Sequence, residues 1–283
     1  MKKSIIPGKL NKAKKAYDNK TFIHSRDGRI LRILAEYSYP ESHLRRNNVR
    51  KTVIFFGSAR IRQKQEVETE IAELNSSLIT KNDQEKSKAL EKLDKLKIML
   101  DLSVYYEDAY ILAKKIALWT STFPKSKKYF ICTGGGGGIM EAANKGAFDA
   151  GCKNVGLNIS LPYEQNPNPY ITHDLNFEFH YFFMRKFWLV YPAHALIVFP
   201  GGFGTLDELT EILTLRQTKK MHKPRMILLY SKQYWSKVLD FDFLIKMGMI
   251  DEDSFSLFHF ADTPDEAFEI ISTELLKNEN LFK

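Results

Sequence analysis

The sequence predicts an α/β fold in which helices cover both faces of a doubly wound parallel sheet. Short apolar runs alternate with longer segments of helical periodicity, which is the element order of a parallel sheet. Three of the apolar runs end in small residues, at the edge where such sheets bind ligands. A charged segment over 62–103 is predicted to add an inserted helical hairpin.

The amino-terminal part supplies an arm, a helix and a strand. Residues 1–50 hold 13 Lys and Arg against 4 Asp and Glu, so the net charge of +8 is concentrated here, and 1–27 is predicted to be a basic flexible arm. Apolar residues recur at helical spacing over 28–39, and Pro40 is expected to end this helix. A buried strand is predicted over 52–56.

The charged segment and the remainder of the chain complete one domain. Apolar residues in 62–103 form two arms with a 4–3–4 spacing, which predicts an antiparallel hairpin with a structural or oligomerisation role rather than a catalytic one. Strands and helices then alternate, and the whole of 28–283 is predicted to be a single Rossmann-like domain. The later strands are expected at 129–133, 154–159, 195–199 and 225–230.

Composition excludes several classes of protein. A hydrophobic content of 44% can bury a large core, which argues against disorder, and no apolar run approaches the ~18 residues that span a bilayer. The amino terminus has no apolar signal segment, and two cysteines cannot form a disulfide framework. We therefore expect a cytoplasmic protein with no membrane partner. A nucleic-acid role for the basic arm is an alternative, but without interleaved aromatics a solvated tail is favoured.

Two glycine-rich turns, at 134–138 and 201–205, have the composition of anion cradles. Glycines let backbone amides approach a ligand closely, and the start of the helix after each turn attracts a phosphate. Neither turn has the Gly-Lys-Ser/Thr ending of a Walker A loop, and neither fits the dinucleotide pattern G-x-G-x-x-G. Together with Gly57 and Ser58 after the first strand, they favour one compact phosphate held between opposed loops.

Glu208 has two interpretations. Thr205 and Glu208 fit a capping box, in which Thr205 caps the helix and Glu208 returns to the amide of the cap. Alternatively, Glu208 begins a polar stripe with Glu211 and Thr214 that starts at the cradle, where a carboxylate is available for chemistry. The pattern by itself favours the cap.

Other charged residues near these turns are also open to two interpretations. Arg185 and Lys186 lie in an aromatic stretch, where they either extend along an apolar helix face or neutralise a phosphate. For Glu141, the alternative to a role in the site is a favourable interaction with the amino terminus of a helix. Glu164 lies in a loop, where glutamate is ordinarily solvated. The histidines lack metal-ligand spacing, so no metal site is expected.

Five ordered motifs resemble the LOG ("Lonely guy") family of cytokinin riboside 5′-monophosphate phosphoribohydrolases, long labelled lysine decarboxylases. The resemblance covers about 28–60 and 104–275. The motifs lie at 55–60, at 133–144, at 161–165 with a Pro-x-Glu loop, at 182–186 with an Arg-Lys pair, and at 200–208.

The resemblance implies hydrolysis of the N-glycosidic bond of a nucleoside 5′-monophosphate to a free base and ribose 5-phosphate. It makes Glu208 and Arg185 the catalytic residues: the carboxylate would stabilise an oxocarbenium-like ribose and orient water, and the guanidinium would neutralise the phosphate and fix the sugar. A homodimer or larger homo-oligomer and no cofactor are also implied. The substrate contacts implied are Ser58, Gly135, Gly136, Gly137, Glu141, Glu164, Lys186, Gly201, Gly202, Gly204, Thr205 and Thr214.

Two departures from the plant-type motifs bear on the substrate. Phe182 stands where those motifs have Met, and Glu141 stands where they have Gly, so AMP or a broader range of monophosphates is favoured over a dedicated cytokinin precursor. No lysine lies in a recognisable Schiff-base site for pyridoxal phosphate, so decarboxylation is set aside. The competing hypothesis is a nucleotide-sensing module of the same fold that binds and does not cleave.

Overall fold

The computed structural model describes residues 11–78, 83–161, 166–220 and 225–281. In these ranges seven strands form one parallel sheet in the order β4-β3-β2-β1-β5-β6-β7, and the predicted doubly wound α/β fold is confirmed. The strands are β1 (Thr52–Phe56), β2 (Phe130–Thr133), β3 (Asn154–Ile159), β4 (Asn176–Phe179), β5 (Ala193–Val198), β6 (Met226–Tyr230) and β7 (His259–Ala261). The α-helices are α1 (Lys20–His24), α2 (Arg29–Arg46), α3 (Lys64–Ser77), α4 (Asp83–Ser121), α5 (Ile139–Asp149), α6 (Phe182–Val190), α7 (Phe203–Gln217), α8 (Lys232–Val238), α9 (Phe241–Lys246) and α10 (Pro264–Leu281).

Residues of the central strand β1 contribute to two hydrophobic cores, one on each face of the sheet. All five of its residues are buried, as expected for a parallel strand that is covered on both faces. Val53 and Phe55 pack with α4, α5 and α10, whereas Ile54 and Phe56 pack with α6 and α7 on the other face. Because the chain runs outward from β1 to β4 and then returns to the other side of β1, the sheet has a switch point between β1 and β5.

The charged segment forms an antiparallel helix pair. Lys92 Nζ lies 2.7 Å from Glu70 Oε1, and the Lys64 amide donates to Glu107 Oε1 at 3.3 Å, so α3 and α4 run in opposite directions. The second arm is longer than predicted, since α4 continues to Ser121. Its later half packs against α5, where Tyr106 is buried, so this helix belongs to the core as well as to the hairpin. The division into an arm and one domain remains a prediction.

The helix predicted to end at Pro40 instead continues to Arg46. A proline inside a helix lacks an N–H and leaves the carbonyl four residues earlier without its helical donor. That carbonyl belongs to Glu36, and the Trp188 indole donates to it at 3.2 Å. A side chain from α6 thus replaces the missing backbone bond, which allows α2 to pass through Pro40.

Two edge strands were not predicted. β4 lies in the aromatic stretch before α6, and its residues alternate between exposed and buried, as on a sheet edge. The three residues of β7 are too few to give a period of their own. No helix within the described ranges is long and apolar enough to cross a bilayer.

Candidate functional site

A cleft of about 830 Å³ opens beyond the carboxyl ends of β1, β2 and β5. It lies at the switch point of the sheet, where doubly wound folds bind ligands. The residues singled out in the sequence that line this cleft include Gly57, Ser58, Gly134, Arg185, Gly201, Gly202, Gly204, Thr205 and Glu208.

Ser58 joins the three turns that surround the cleft. Its amide donates to the Pro200 carbonyl at 3.0 Å, and its own carbonyl accepts from the Ile139 amide at 3.1 Å. Its hydroxyl accepts from the Arg60 amide at 3.1 Å and holds the turn after β1. The ends of β1 and β5 and the start of α5 are therefore fixed relative to one another by backbone hydrogen bonds.

The start of α7 faces the cleft without a side-chain cap. The cap residue is Gly202, whose carbonyl accepts from the amides of Thr205 and Leu206, each at 3.0 Å. Thr205 lies inside the first turn, so the interpretation of Thr205 and Glu208 as a capping box is wrong. Within the described residues no side chain caps this helix, and its dipole favours a negative charge at the end that faces the cleft.

Glu208 lies one turn further into α7 and is 6% exposed. Within the described part of the chain its Oε2 atom has no hydrogen-bond partner. Burial raises the pKa of this carboxyl to about 7, and the positive charges of Lys186 and Arg185 oppose the shift. A buried carboxyl without a full set of partners costs folding free energy, and such groups occur where chemistry requires them.

Arg185 lines the same cleft from α6. Its Nε atom donates to the Leu157 carbonyl at 2.8 Å, and its Nη2 atom donates to the Gly134 carbonyl at 3.4 Å. Burial lowers the pKa of the guanidinium, while the Glu208 carboxylate acts in the opposite direction. Because arginine remains charged under all ordinary conditions, the cleft holds a fixed cation beside a titratable acid.

Two further predicted residues, Lys186 and Thr214, are not among the residues that line the cleft. Lys186 Nζ is 2.7 Å from Asp207 Oδ2 and 2.8 Å from Glu211 Oε2, so it ties α6 to α7. Thr214 is exposed, and its hydroxyl donates to the Thr210 carbonyl at 2.8 Å. Glu164 lies outside the described residues.

Glu141 and the glycine run flank the cleft. The Tyr106 hydroxyl donates to Glu141 Oε1 at 3.1 Å, which fixes that carboxylate on α5. Gly135 adopts a φ of +79°, and a Cβ atom there would clash with the Asn158 side chain, so this turn requires glycine. Gly135, Gly136 and Gly137, like Glu141, are not among the residues that line the cleft.

Asn168 holds the glycine run, and sequence reasoning missed it. Its Nδ2 atom donates to the carbonyls of Gly135 at 3.1 Å and Gly136 at 3.0 Å, and to Asn144 Oδ1 at 3.0 Å. Asn144 Oδ1 also accepts from the Thr133 hydroxyl at 2.6 Å. The only signal in the sequence is an asparagine between two prolines, which indicates a loop and not a buried clamp.

Sequence reasoning also missed part of the cleft wall. Leu102 comes from α4, and Tyr234 and Val238 come from α8. Phe203, which lies within the predicted 200–208 motif, also lines the cleft and is 92% exposed, so an aromatic face is available at the mouth of the cleft. In the sequence, Leu102 belongs to the hairpin pattern and α8 carries no motif, so no signal connected them with the site. The described residues include no group of three or more His, Cys, Asp or Glu arranged to hold a metal ion.

Comparison with known proteins finds a family model, two curated relatives and a solved structure to which this chain is similar. The family model described as "possible lysine decarboxylase" matches residues 140–271. Two curated rice proteins (Oryza sativa subsp. japonica) are similar to this chain. The probable cytokinin riboside 5′-monophosphate phosphoribohydrolase LOG4 is 31% identical over 135 residues, which cover 47% of this chain and 57% of LOG4. The probable cytokinin riboside 5′-monophosphate phosphoribohydrolase LOGL3 is 32% identical over 85 residues, which cover 30% of this chain and 40% of LOGL3.

The X-ray structure of TM1055 is also similar, with 19% identity, a TM-score of 0.47 and coverage of 79% of this chain and 99% of that one. Of the two rice proteins, by contrast, the chain spans only about half the length. The family model and both curated relatives confirm the resemblance of this chain to the LOG family, most directly over residues 140–271.

Proposed function

We propose that this chain hydrolyses the N-glycosidic bond of a nucleoside 5′-monophosphate and releases a free base and ribose 5-phosphate. The observation that supports the proposal most is the buried Glu208 carboxyl beside the Arg185 guanidinium, in a cleft that also exposes the amino end of α7. One oxygen of this carboxyl has no hydrogen-bond partner among the residues that the structure describes. The two rice relatives carry names of phosphoribohydrolases that act on cytokinin riboside 5′-monophosphates.

The mechanism assigns one task to each part of the cleft. The amides at the start of α7 and the charge of Arg185 bind the 5′-phosphate and so hold the ribose. The bond between C1′ and the base nitrogen breaks, its electron pair leaves with the base, and positive charge develops at C1′. Glu208, as a carboxylate, stabilises that charge and takes a proton from the water that attacks C1′. The leaving base takes a proton from solvent, and Glu208 releases its proton to solvent, which completes the cycle.

The environment of Glu208 suits this task. A base whose pKa lies near the working pH combines a useful ionised fraction with a strong affinity for the proton, and the carboxyl of Glu208 has a pKa of about 7. We expect AMP and related monophosphates as substrates, a homodimer as the working assembly and a cytoplasmic location. Light scattering of the purified chain would test the dimer, and fractionation of the cells that make it would test the location.

Product chromatography tests the reaction. The chain is incubated with AMP, GMP, CMP, UMP and an N6-isopentenyl-AMP, and the released base is quantified. We expect base from at least one of them and a loss of about 1000-fold or more in kcat for Glu208→Gln, since the variant lacks the base and the charge. Glu269→Gln, an exposed residue of α10 on the opposite face of the sheet, is the matched control and should retain the wild-type rate.

The same experiment decides between hydrolysis and sensing. If the wild type binds monophosphates but releases no base from any of them, the chain is a nucleotide-binding module and the hydrolase proposal fails. If Glu208→Gln keeps the wild-type rate, the reaction does not use this carboxylate.

A further inference from the structure

Tyr234 contacts the glycine turn before α7 from the side. It lies on α8, lines the cleft, and its hydroxyl donates to the Gly201 carbonyl at 2.7 Å. Gly201 and Gly202 are also part of the lining, so this hydrogen bond acts on the backbone that surrounds the expected anion site. Neither the LOG-like motifs nor the chemistry assigned to Glu208 and Arg185 uses Tyr234.

Peptide geometry gives this hydrogen bond a consequence. The bond between Gly201 and Gly202 is trans, so the Gly201 carbonyl and the Gly202 amide point in opposite directions in one plane. Because the Tyr234 hydroxyl fixes the direction of the Gly201 carbonyl, it also fixes the Gly202 amide in the opposite direction. Two adjacent glycines would otherwise allow this peptide plane to rotate at little cost.

The position of Tyr234 is itself set by the surrounding structure. Ser231 caps α8 with a φ of +74°, and its hydroxyl accepts from the Tyr234 amide at 3.3 Å and lies 2.9 Å from the Tyr105 hydroxyl of α4. The next residue, Trp235, is fully buried and its indole donates to the Val198 carbonyl at 3.1 Å. Contacts from α4 and β5 thus hold the start of α8, so the tyrosine hydroxyl has a defined place.

We propose that Tyr234 is a positioning residue whose hydroxyl orients the Gly201–Gly202 peptide so that the Gly202 amide faces the cleft and donates to a phosphate. This inference rests on the proposed function, because it takes the ligand to be a sugar phosphate. A preoriented amide binds an anion without first paying the entropy of fixing its plane. Loss of the hydroxyl should weaken phosphate binding equally in the ground state and the transition state.

The test replaces Tyr234 by Phe, which removes one oxygen and keeps the ring. Calorimetry with ribose 5-phosphate, with ribose as the unphosphorylated control, gives the dissociation constant, and steady-state kinetics with AMP gives KM and kcat. We expect the Kd for ribose 5-phosphate and the KM for AMP to rise about fivefold to tenfold, the range of one net hydrogen bond, with kcat unchanged within about twofold. Urea unfolding should show that the variant remains folded under the conditions of both assays.

Tyr110→Phe is the matched control. It removes a hydroxyl that donates to Asp149 Oδ2 at 3.0 Å between α4 and α5, away from the cleft lining, and it should bind ribose 5-phosphate like the wild type. Wild-type affinity in Tyr234→Phe, or equal weakening in Tyr110→Phe, would overturn the proposal. A lower kcat at constant KM would also overturn it.

The two proposals fail in different ways. If the wild type binds ribose 5-phosphate but releases no base from any monophosphate, the hydrolase function falls, while the comparison of Tyr234→Phe with the wild type still decides the positioning role. If the wild type releases base but Tyr234→Phe has an unchanged KM, only the positioning role falls. If the wild type binds no ribose 5-phosphate, Tyr234 has no anion to position and the inference is wrong.

Discussion

Glu208→Gln should make the free protein more stable at alkaline pH. The carboxyl has an ordinary pKa of 4.5 in the unfolded chain and about 7 in the folded one, chiefly because burial disfavours its charge. Between these values the folded state holds a proton that the unfolded state has lost, so this group's contribution to the free energy of unfolding falls as pH rises. It is full below pH 4.5 and lost above pH 7.

The magnitude follows from the two pKa values. A difference of about 2.5 pKa units, at 1.36 kcal/mol each, corresponds to about 3 kcal/mol that the charged carboxylate costs above pH 7. Glutamine has nearly the same shape and never ionises. The variant should therefore exceed the wild type in unfolding free energy by about 1 kcal/mol at pH 5 and about 3 kcal/mol at pH 8.

Urea unfolding at pH 5, 6, 7 and 8, followed by tryptophan fluorescence, measures this difference. Glu269→Gln provides the control for the exchange of a carboxyl for an amide on an exposed helix face. An E208Q variant that is less stable than the wild type at pH 8, or a difference that stays constant from pH 5 to 8, would refute the reasoning that burial shifts this group.

Three further predictions concern Gly135, Trp188 and Arg185. Gly135→Ala, at φ +79° and against a neighbouring side chain, should lower the unfolding free energy by at least about 2 kcal/mol, whereas Gly151→Ala, at φ +66° in open space, should cost about 1 kcal/mol; urea midpoints compare them. Trp188→Phe leaves the Glu36 carbonyl without its indole donor and should cost about 2 kcal/mol by the same measurement. Arg185→Lys keeps the charge but cannot reach two carbonyls with one planar group, and kcat for base release should fall about 100-fold.

Each of these predictions can fail separately. Equal costs for the two glycine variants would mean that the clash at Gly135 relaxes without strain. An unchanged stability of the Trp188 variant would mean that water satisfies the carbonyl freed by Pro40. A wild-type kcat for Arg185→Lys would mean that the reaction requires a positive charge at this position but not the planar guanidinium group.

The sequence by itself determined the parallel sheet and the place of the site. Strands β1 and β5 are short apolar runs, so their existence follows from local pattern. The bounds of β1, which ends just before Gly57, also follow, whereas β5 was predicted over 195–199 and spans Ala193–Val198. Since the carboxyl ends of parallel strands meet at one edge, the turns at Gly57 and Gly201 had to lie together. The resemblance to the LOG family then added Glu208 and Arg185 as expectations.

The tertiary structure alone decided how individual side chains are used. Pro40 stays inside α2 because Trp188, distant in sequence, satisfies the exposed carbonyl. Thr205 and Glu208 have the spacing of a capping box, but α7 begins at Phe203 and Glu208 is buried. In the described ranges one of its carboxyl oxygens has no hydrogen-bond partner.

Lys186, Asn168 and Tyr234 make the same point. Their partners are Glu211 on another helix, Gly135 in the glycine run and Gly201 before α7. Local pattern encodes the period of a helix or strand, but it does not encode which distant groups a side chain meets. Burial and hydrogen bonding depend on these long-range contacts, so both are known only from the folded structure.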